Sequence, residues 1–309
     1  MSLLVVGSVA LDTVETPFGR VTDVIGGSAV YFSASASVFH PVQLVGVVGS
    51  DYPIEQLDFL ARRGVDLAGL ERAEGESFRW SGFYDFDLNN AQTRGRRLGV
   101  GAEFRPHIPE PFRDAEWVFL ASTDPDLQSE VLDQVRSPRL VACDTMDHWI
   151  ESKRDALLRL LGRVDVLLIN EAEIRRLSNE YNLVSAARWT QARGPEYVVV
   201  KKGEHGAMLF TSELVFFTPG YPLESIFDPT GAGDAFAGGF LGHLARAGEV
   251  TADELRRAMV FGSVMGSFVV ERFGVDRLVG LTHEEIEERV VAFREMTAFE
   301  HRWPARAHV

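Results

Sequence analysis

The chain has 309 residues and a formal net charge of −14, with 46% hydrophobic and 25% charged residues. This length and composition are typical of a globular protein that can bury a sizeable core. The acidic balance argues against a nucleic-acid partner, because phosphate backbones require clustered lysine and arginine. The single cysteine, Cys143, excludes a disulfide within the chain and a zinc cluster built on cysteine.

The start of the chain reads Met-Ser-Leu-Leu-Val-Val-Gly-Ser and lacks both a basic segment and a cleavage site. These features argue against a signal peptide. No apolar run approaches ~18 residues, so we predict no transmembrane helix. We therefore expect a cytoplasmic protein without a membrane partner, which acts on small molecules as a monomer or homodimer.

Short apolar runs alternate with helical stretches along the chain. Runs of β type cover residues 3–7, 42–48, 117–121, 139–144, 164–170 and 197–202. Helical stretches follow at about 53–63, 125–136, 151–162 and 171–193. Buried strands that alternate with helices form parallel βαβ units. The sequence therefore predicts an α/β fold with a doubly wound, mostly parallel sheet flanked by helices, in one domain over 1–309.

Two segments depart from this rhythm. Residues 12–25 and 77–99 alternate polar and apolar side chains, as in Phe-Arg-Trp-Ser-Gly-Phe-Tyr-Asp-Phe. Such alternation predicts antiparallel strands with one solvated face. We expect a small β-sheet that covers the site as a lid. Edge hairpins without a gating role are the alternative.

Polar residues follow several of the predicted strands, namely Asp51, Asp144, Asn170 and Lys202. Ligands of open α/β sheets bind outside the carboxyl ends of the strands. The functional site is therefore expected at this edge of the large sheet.

Residues 228–241, Asp-Pro-Thr-Gly-Ala-Gly-Asp-Ala-Phe-Ala-Gly-Gly-Phe-Leu, form a glycine-rich turn that leads into a helix. Amides at a helix start lack partners within the helix, and the macrodipole adds positive charge, so such a terminus binds phosphate. Gly231 and Gly233 let the backbone approach an anion. A carboxylate would compete with the phosphate, so Asp234 is predicted to be a general base for an acceptor hydroxyl. A helix with a stabilising first-turn Asp is the alternative.

This segment resembles the C-terminal signature of the ribokinase/PfkB family of carbohydrate and nucleoside kinases, and the resemblance covers roughly residues 1–295. It implies a ribokinase-like fold and transfer of the γ-phosphate of ATP to a hydroxymethyl group. It also implies that Asp234 is the base and that the amides of Gly231, Ala232 and Gly233 form the anion hole.

Asn170 ends a predicted strand, and Glu173 lies one helical turn later. Mg²⁺ prefers oxygen ligands and keeps several waters, so Glu173 is a candidate to order Mg²⁺ through water. A capping box is the alternative. The pair resembles the family's Asn-x-x-Glu motif, which implies that Asn170 contacts ATP and Mg²⁺. Some family members also bind K⁺ beside the signature, which makes Asp228 and Thr230 candidate K⁺ ligands.

The segment from Lys201 to Ala207, Lys-Lys-Gly-Glu-His-Gly-Ala, predicts a strand, a glycine turn and a second strand. In the family the corresponding loop lies against the nucleotide. The resemblance implies that Gly203 and Gly206 lie near the ribose and phosphates of ATP, and that Lys201 or Lys202 reaches the triphosphate. A β-hairpin with surface lysines is the alternative.

The N-terminal segment resembles the acceptor-binding elements of the family, with Ser8, Asp12, Gly26 and Gly27 as substrate-binding candidates beside Asp234. The Asp12 carboxylate can accept hydrogen bonds from two hydroxyls of a sugar ring. The paired glycines let a sugar lie against the backbone. A simple turn residue is the alternative for Asp12.

Two departures from the family pattern bear on the acceptor. Sugar-kinase members of the family often carry Asn a few residues after the paired glycines, whereas this chain has Ser28, Val30 and Tyr31 there. Many members have Asp-Pro-Asn where this chain has Asp-Thr-Met-Asp at 144–147. Both changes argue against a simple hexose or ribose. Aromatic side chains near the lid and rim can stack on a nucleobase, although packing is the alternative. They are Tyr31, Phe78, Trp80, Phe83, Tyr84, Phe86 and Trp149.

The sequence therefore predicts an ATP-dependent kinase that phosphorylates a primary hydroxyl of a nucleoside. A sugar or inositol kinase of the same family is the first alternative. A catalytically silent, ligand-binding regulator on the same fold is the second.

Overall fold

The computed structural model describes residues 2–89 and 91–299, which form a large and a small β-sheet with packed helices. The strands are β1 Leu3–Val6, β2 Ala10–Thr16, β3 Gly19–Gly26, β4 Val42–Gly49, β5 Val65–Ala73, β6 Phe78–Tyr84, β7 Ala91–Arg97, β8 Trp117–Leu120, β9 Leu140–Asp144, β10 Val166–Asn170, β11 Tyr197–Lys201, β12 Ala207–Phe210 and β13 Val215–Thr218. The helices are α1 Ser28–Ala36, α2 Asp58–Arg62, α3 Pro125–Leu132, α4 Asp147–Ser152, α5 Arg154–Leu161, α6 Glu171–Ser178, α7 Leu183–Gln191, α8 Ala232–Ala247, α9 Ala252–Val269, α10 Asp276–Val279 and α11 His283–Thr297. In these two ranges no helix has the length and hydrophobicity needed to cross a membrane. The assignment of 1–309 to a single domain stays a prediction.

The large sheet has the strand order β13-β12-β11-β10-β9-β8-β1-β4-β5. Neighbouring strands from β11 to β5 pair in parallel, whereas β12 and β13 continue the sheet in antiparallel fashion. Successive residues of β1 join opposite hydrophobic cores, with Leu3 and Val5 in one and Leu4 and Val6 in the other. A strand that is apolar on both faces requires helices on both faces. The predicted doubly wound, mostly parallel sheet is therefore confirmed.

The helix that follows the glycine-rich signature, α8, packs closely against α1 and α9. A Cβ atom on Gly238 would lie 2.5 Å from the carbonyl oxygen of Phe32 in α1. A Cβ atom on Gly239 would lie 2.6 Å from the carbonyl oxygen of Phe261 in α9. The two glycines therefore allow the backbones of three helices to meet, which fixes the direction of α8 and the position of its N-terminus.

The small sheet has the order β3-β2-β6-β7 and is built from the two segments with alternating patterns. The β2–β3 and β6–β7 pairs are antiparallel, but β2 and β6 run parallel. The predicted antiparallel strands are therefore confirmed within each hairpin, whereas the two hairpins join through a parallel pair. The physical reason is that β2 follows β1 and β6 follows β5. Both preceding strands belong to the parallel part of the large sheet, so the chain leaves it in the same direction each time.

The single helix predicted over 171–193 is divided into α6 and α7. Asn179 adopts φ 57, a left-handed conformation that ends α6, and the Asn182 side chain accepts two amide hydrogen bonds at the start of α7. The helix predicted over 151–162 begins earlier and is divided at Lys153 into α4 and α5. Capping residues within an amphipathic run end one helix and start the next, although the apolar periodicity continues.

Candidate active site

The signature turn forms the N-terminus of α8, with Gly231 as the cap residue. Gly231 adopts φ 78, and a Cβ atom there would overlap the ring of Tyr31, so this position requires glycine. Within the described ranges, the amides of Gly231 and Gly233 have no backbone partner, whereas that of Ala232 donates to the Pro229 carbonyl at 3.2 Å. Two of the three amides of the predicted anion hole are thus free to donate to a phosphate.

Asp234 lies in the first turn of α8, where its half-buried side chain lines an open cleft. Burial raises the pKa of Asp234 to about 6, and the positive charge of Lys201 opposes this rise. A carboxyl group with this pKa is ionised at neutral pH and is a stronger base than an exposed aspartate. The environment of Asp234 therefore suits proton acceptance from a substrate.

Lys201 ends β11 and lies at the same helix start. Its Nζ atom is 2.8 Å from the point where a Cβ atom on Gly233 would stand. A cation is unfavourable at a helix N-terminus, because the macrodipole is positive there. The carboxyl groups of Asp144, Glu173 and Asp234 offset the unfavourable charge of Lys201 at this position. The charge of Lys201 lowers the pKa of each of them, against the larger effect of burial.

Asp144, the last residue of β9, is only 3% exposed. Its Oδ1 atom accepts no hydrogen bond from the described residues. Burial raises the pKa of Asp144, and the nearby charges of Asp234 and Glu173 raise it further. An unpartnered buried carboxyl oxygen is costly, so such atoms in folded proteins usually face a ligand or an ion. Asp144 was predicted as a polar residue at a strand end, without a functional role.

Asn170 and Glu173 form a capping box at the start of α6. The Glu173 amide donates to Asn170 Oδ1 at 2.8 Å, and the Asn170 amide donates to Glu173 Oε2 at 3.0 Å. Glu173 is buried, and burial raises its pKa to about 7 although the charge of Lys201 lowers it. The capping alternative is thus present in the structure. It leaves Glu173 Oε1 without a partner among the described residues.

Asp12 is buried in β2 against the paired glycines. A Cβ atom on Gly26 would overlap the Asp12 carboxyl group, and the Gly27 amide lies near enough to stabilise its ionised form. Burial raises the pKa of Asp12 to about 7; the Gly27 amide lowers it, and the charges of Asp228 and Asp234 raise it further. The close approach of this carboxyl group to the backbone explains why glycine is needed at position 26.

Ser8 is held by Ser28 at the start of α1. The Ser28 amide donates to Ser8 Oγ at 3.0 Å, the Ser8 amide donates to Ser28 Oγ at 3.2 Å, and the two hydroxyls are 3.0 Å apart. Ser8 lines the cleft. Because its hydroxyl is already engaged, its evident contribution is to fix the loop after β1 against α1.

Asp228 anchors the signature turn from within the protein. It is fully buried, and its two carboxylate oxygens accept the amides of Thr230 at 2.9 Å and Gly274 at 3.1 Å. Burial raises its pKa, although these bonds lower it. The Thr230 hydroxyl donates to the Tyr84 hydroxyl at 3.3 Å. This bond connects the signature turn to β6 of the small sheet.

The turn between β11 and β12 has the predicted strand, glycine turn and strand. Gly203 adopts φ 55 and Gly206 adopts φ 84, conformations that favour glycine. A Cβ atom on Gly203 would overlap the Asn89 side chain, which belongs to the loop between β6 and β7. The Asn89 amide group also donates to Glu204 at 3.5 Å. The tip of the small sheet therefore touches the turn that is predicted to hold ATP.

An open cleft of about 480 Å³ lies between the small sheet and the strand ends of the large sheet. Six predicted site residues line it: Ser8, Asp12, Gly27, Thr230, Gly231 and Asp234. The other predicted site residues lie outside its lining: Gly26, Asn170, Glu173, Lys201, Gly203, Gly206, Asp228, Ala232 and Gly233. Asn170 and Lys201 pair directly in neighbouring strands. Four of the five predicted acceptor residues, all but Gly26, therefore line the cleft. The predicted nucleotide residues Asn170, Lys201, Gly203 and Gly206 lie at the end of β10 and at the end of β11 with its following turn.

The predicted aromatic residues separate into two groups. Phe86 is 80% exposed, and the Phe83 ring lies 4.4 Å from the guanidinium carbon of Arg94, so neither lines the cleft. The others line it: Tyr31, Phe78, Trp80, Tyr84 and Trp149.

Several residues that line the cleft were not predicted from the sequence. Ser122, Thr123 and Asp124 follow β8 after one intervening residue, so the rule that ligands bind at strand ends could have found them. Arg96 in β7 and Phe104 after it also line the cleft. Nothing in the sequence alone separates Arg96 from the neighbouring arginines of the same strand.

The fold and the site together define a class, the α/β phosphotransferases that act on an alcohol group. Residues 111–279 match the family described as pfkB family carbohydrate kinase. The chain is 31% identical to a cytidine kinase from Thermococcus kodakarensis over 253 residues, which are 80% of this chain and 89% of that relative. The chain therefore belongs to the pfkB family of carbohydrate kinases, and the predicted family is confirmed.

Further similarity extends over nearly the whole chain. A nucleoside kinase from Methanothermobacter thermautotrophicus is 25% identical over 301 residues, which are 92% of this chain and 94% of that relative. The crystal structure of the nucleoside kinase from Methanocaldococcus jannaschii, an archaeal member of the ribokinase family, superposes with a TM-score of 0.74. It is 23% identical and covers 94% of this chain and 98% of that chain. This likeness confirms the ribokinase-like fold.

Proposed function

We propose that this kinase transfers the γ-phosphate of ATP to the primary 5′-hydroxyl of a nucleoside. The observation that carries the proposal is a single cleft lined by Asp12, by Asp234 and by an aromatic wall that includes Trp80. An aromatic wall matches the flat face of a nucleobase, which a free sugar lacks. The relatives named cytidine kinase and nucleoside kinase support the same class of acceptor.

The proposed chemistry is a direct transfer. The Asp234 carboxylate takes the proton of the 5′-hydroxyl, and the 5′-oxygen bonds to the γ-phosphorus. The bond from that phosphorus to the oxygen it shares with the β-phosphate breaks, and ADP leaves. The amides of Gly231, Ala232 and Gly233 stabilise the charge on the transferring group. For this the Ala232 amide exchanges its bond to the Pro229 carbonyl for one to the phosphate.

The nucleotide side of the site lies at the ends of β10 and β11. Lys201 Nζ lies 2.8 Å from the point where a Cβ atom on Gly233 would stand at the start of α8, which makes it the proposed partner of the triphosphate. Asn170 is its neighbour across the strands. Gly203 and Gly206 let the backbone of the following turn approach the ribose and phosphates of ATP.

Mg²⁺ fits the donor set beside Asn170. This ion keeps several waters and is usually held by one or two carboxylates together with substrate phosphates. Glu173 Oε1 and the buried Asp144 Oδ1 accept no hydrogen bond from the described residues, and both suit metal-bound water. No cluster of three or more ligating side chains occurs in the described part of the chain. When bound, Mg²⁺ would neutralise charge on the β- and γ-phosphates.

Replacing Glu173 with glutamine is expected to raise the Mg²⁺ concentration for half-maximal activity more than it raises the acceptor KM. Glutamine can keep the capping bond to the Asn170 amide, so Tm should change little. Both constants would be measured by titration of ADP release. Glu171→Gln is the matched control, because Glu171 lies on the same helical turn and pairs with Arg175. An unchanged Mg²⁺ profile would assign Glu173 to capping alone.

A K⁺ site at Asp228 and Thr230 stays a prediction. The two amide bonds to the Asp228 carboxylate support an anchoring role for this residue. Activation by KCl over choline chloride at equal ionic strength would support the K⁺ site.

The small sheet is proposed to act as a lid over the acceptor. Two contacts support this role, the bond from Thr230 to Tyr84 and the contact of Asn89 with the turn at Gly203. Both connect the small sheet to parts of the proposed site. A cytoplasmic monomer or homodimer without a nucleic-acid partner also stays a prediction.

A panel of acceptors tests the proposed function. We expect ADP release with at least one ribonucleoside, and a product with phosphate on the 5′-oxygen. Ribose, fructose and inositol are the comparison acceptors, and Asp234→Asn provides the blank. Efficient phosphorylation of a sugar or inositol, with none of any nucleoside, would refute the acceptor and leave the kinase family intact. Binding without turnover for every acceptor would favour a non-catalytic regulator.

A further inference from the structure

The small sheet places three side chains of the cleft in one row. Asp12 of β2 pairs with Trp80 of β6, and Trp80 pairs with Arg96 of β7. Directly paired residues project from the same face of a sheet. All three line the cleft. Because neighbouring strands are ~4.8 Å apart, the backbone of Arg96 lies roughly 10 Å from that of Asp12.

This order matches the order of groups in a nucleoside. With the ribose hydroxyls on Asp12, the base would lie against Trp80, and one edge of the base would reach Arg96. The Trp80 ring is held in place, because its Nε1 donates to Thr93 Oγ1 at 3.2 Å and its six-membered ring lies over Gly82. A Cβ atom at Gly82 would overlap this ring. The row therefore offers a fixed stacking surface between two polar ends.

Arg96 differs from the other arginines of its hairpin. Within the described residues, the Arg96 side chain takes part in no ion pair or hydrogen bond, although the chain carries a net charge of −14. The others each have a carboxylate partner: Arg79 with Asp51, Arg94 with Glu15, and Arg97 with Glu76. A half-buried guanidinium that is left unpaired beside a cleft has its donors available for a ligand.

The surroundings of Arg96 favour a base over a phosphate as its partner. Phe78, Leu98 and Phe104 line the cleft together with Trp80, so this part of the wall is mostly apolar. The second guanidinium of the lining, that of Arg105, donates to the Phe104 carbonyl at 3.0 Å. A phosphate would lose its hydration against such a wall, whereas a flat base would bury its faces there.

We propose that Arg96 selects nucleosides whose base carries two adjacent hydrogen-bond acceptors, an inference that rests on the proposed nucleoside kinase function. A guanidinium presents parallel N–H donors and no acceptor, so it pairs in bidentate fashion only with two neighbouring acceptors. Cytosine offers O2 and N3, and 6-oxopurines offer O6 and N7. Adenine places an amino donor beside its ring acceptors, and uracil places an N–H between its two carbonyls. Neither presents a matching pair.

The test compares kcat/KM for cytidine, inosine, uridine and adenosine in the wild type and in Arg96→Ala. The wild type should prefer cytidine or inosine. A bidentate base contact discriminates by ~1–3 kcal/mol, which is about 5- to 150-fold at ~1.4 kcal/mol per tenfold. Arg96→Ala should lose about this factor for the preferred nucleoside and change little for uridine and adenosine. Arg96→Lys should also lose most of the preference, because an ammonium cannot form the bidentate pair.

Arg97→Ala is the matched control, because Arg97 is the next residue, pairs with Glu76 and lies outside the cleft. It should leave the preference unchanged. Equal losses for all four nucleosides in Arg96→Ala, or a wild type that prefers adenosine or uridine, would overturn the proposal while the nucleoside kinase function stands. A phosphorylated sugar as the best acceptor would also overturn it, since Arg96 would then bind a phosphate. Failure of every nucleoside with the wild type would instead refute the proposed function.

Discussion

Asp234→Asn is expected to lower kcat by ~10²–10⁴-fold, the usual contribution of a general base. The substitution keeps the size and the hydrogen-bonding reach of the side chain but removes its ability to accept the proton of the acceptor hydroxyl. ATP binding should change little, because the amides of Gly231 and Gly233 and the ammonium of Lys201 stay in place. Tm should change little, since a neutral group replaces the half-buried carboxylate while Asp144 and Glu173 stay beside Lys201.

The pH dependence of wild-type activity provides a second test of Asp234 as the general base. Burial raises the pKa of Asp234 to about 6, so its protonated, inactive form persists to a higher pH than in an exposed aspartate. The kcat/KM, which reports the free enzyme, should therefore fall as the pH is lowered from about 7 through about 6, because Asp12, with a pKa of about 7, and then Asp234 become protonated. The measurements are a pH profile of ADP release, an ATP titration and a thermal melt of both proteins. A variant that retained more than half of the wild-type turnover would rule out the base.

Much of the fold could be predicted because the apolar pattern of single strands in the large sheet agrees with their burial on both faces. The β1 run Leu3–Val6 is apolar at every position, which suits only a strand covered on both faces. The signature turn could be predicted for a similar reason. Gly231 needs φ 78, and the ring of Tyr31 leaves no room for a Cβ atom.

Pairing between distant segments could not be predicted in the same way. The alternation in β2 and β6 reports one solvated face but contains no information on the relative direction of the two strands. That direction follows from the strands that precede them in the large sheet. The division between α6 and α7 was missed because Asn179 adopts a left-handed conformation inside an otherwise periodic run.

The charge balance of the site also depends on contacts that are remote in sequence. Lys201 was predicted as a ligand of ATP, but its position beside Gly233 and its effect on three carboxyl groups arise only where β11 meets α8. The capping box of Asn170 and Glu173 was visible in the sequence, because it is local. The row of Asp12, Trp80 and Arg96 crosses three strands, so it was not visible in the sequence.

Asp12→Ala is expected to lower acceptor kcat/KM at least about tenfold and to leave the KM for ATP nearly unchanged. A hydrogen bond to a charged group contributes ~1.5–3 kcal/mol, and ~1.4 kcal/mol corresponds to a factor of ten. Two such bonds from the ribose would be lost. Glu15→Ala is the control on the same strand, because Glu15 pairs with Arg94 and lies outside the cleft. Initial rates over both substrate concentrations would provide the constants.

A 2′,3′-dideoxynucleoside separates a ribose contact from a general loss of structure at Asp12. The wild type should use this analogue much less well than the parent nucleoside, because the buried Asp12 carboxylate would then have lost its hydroxyl partners. Asp12→Ala should largely erase the difference, since it removes the group that detects those hydroxyls. If the variant still discriminated as strongly as the wild type, Asp12 would not be the ribose ligand. Equal use of both compounds by the wild type would show that the site does not bind these hydroxyls.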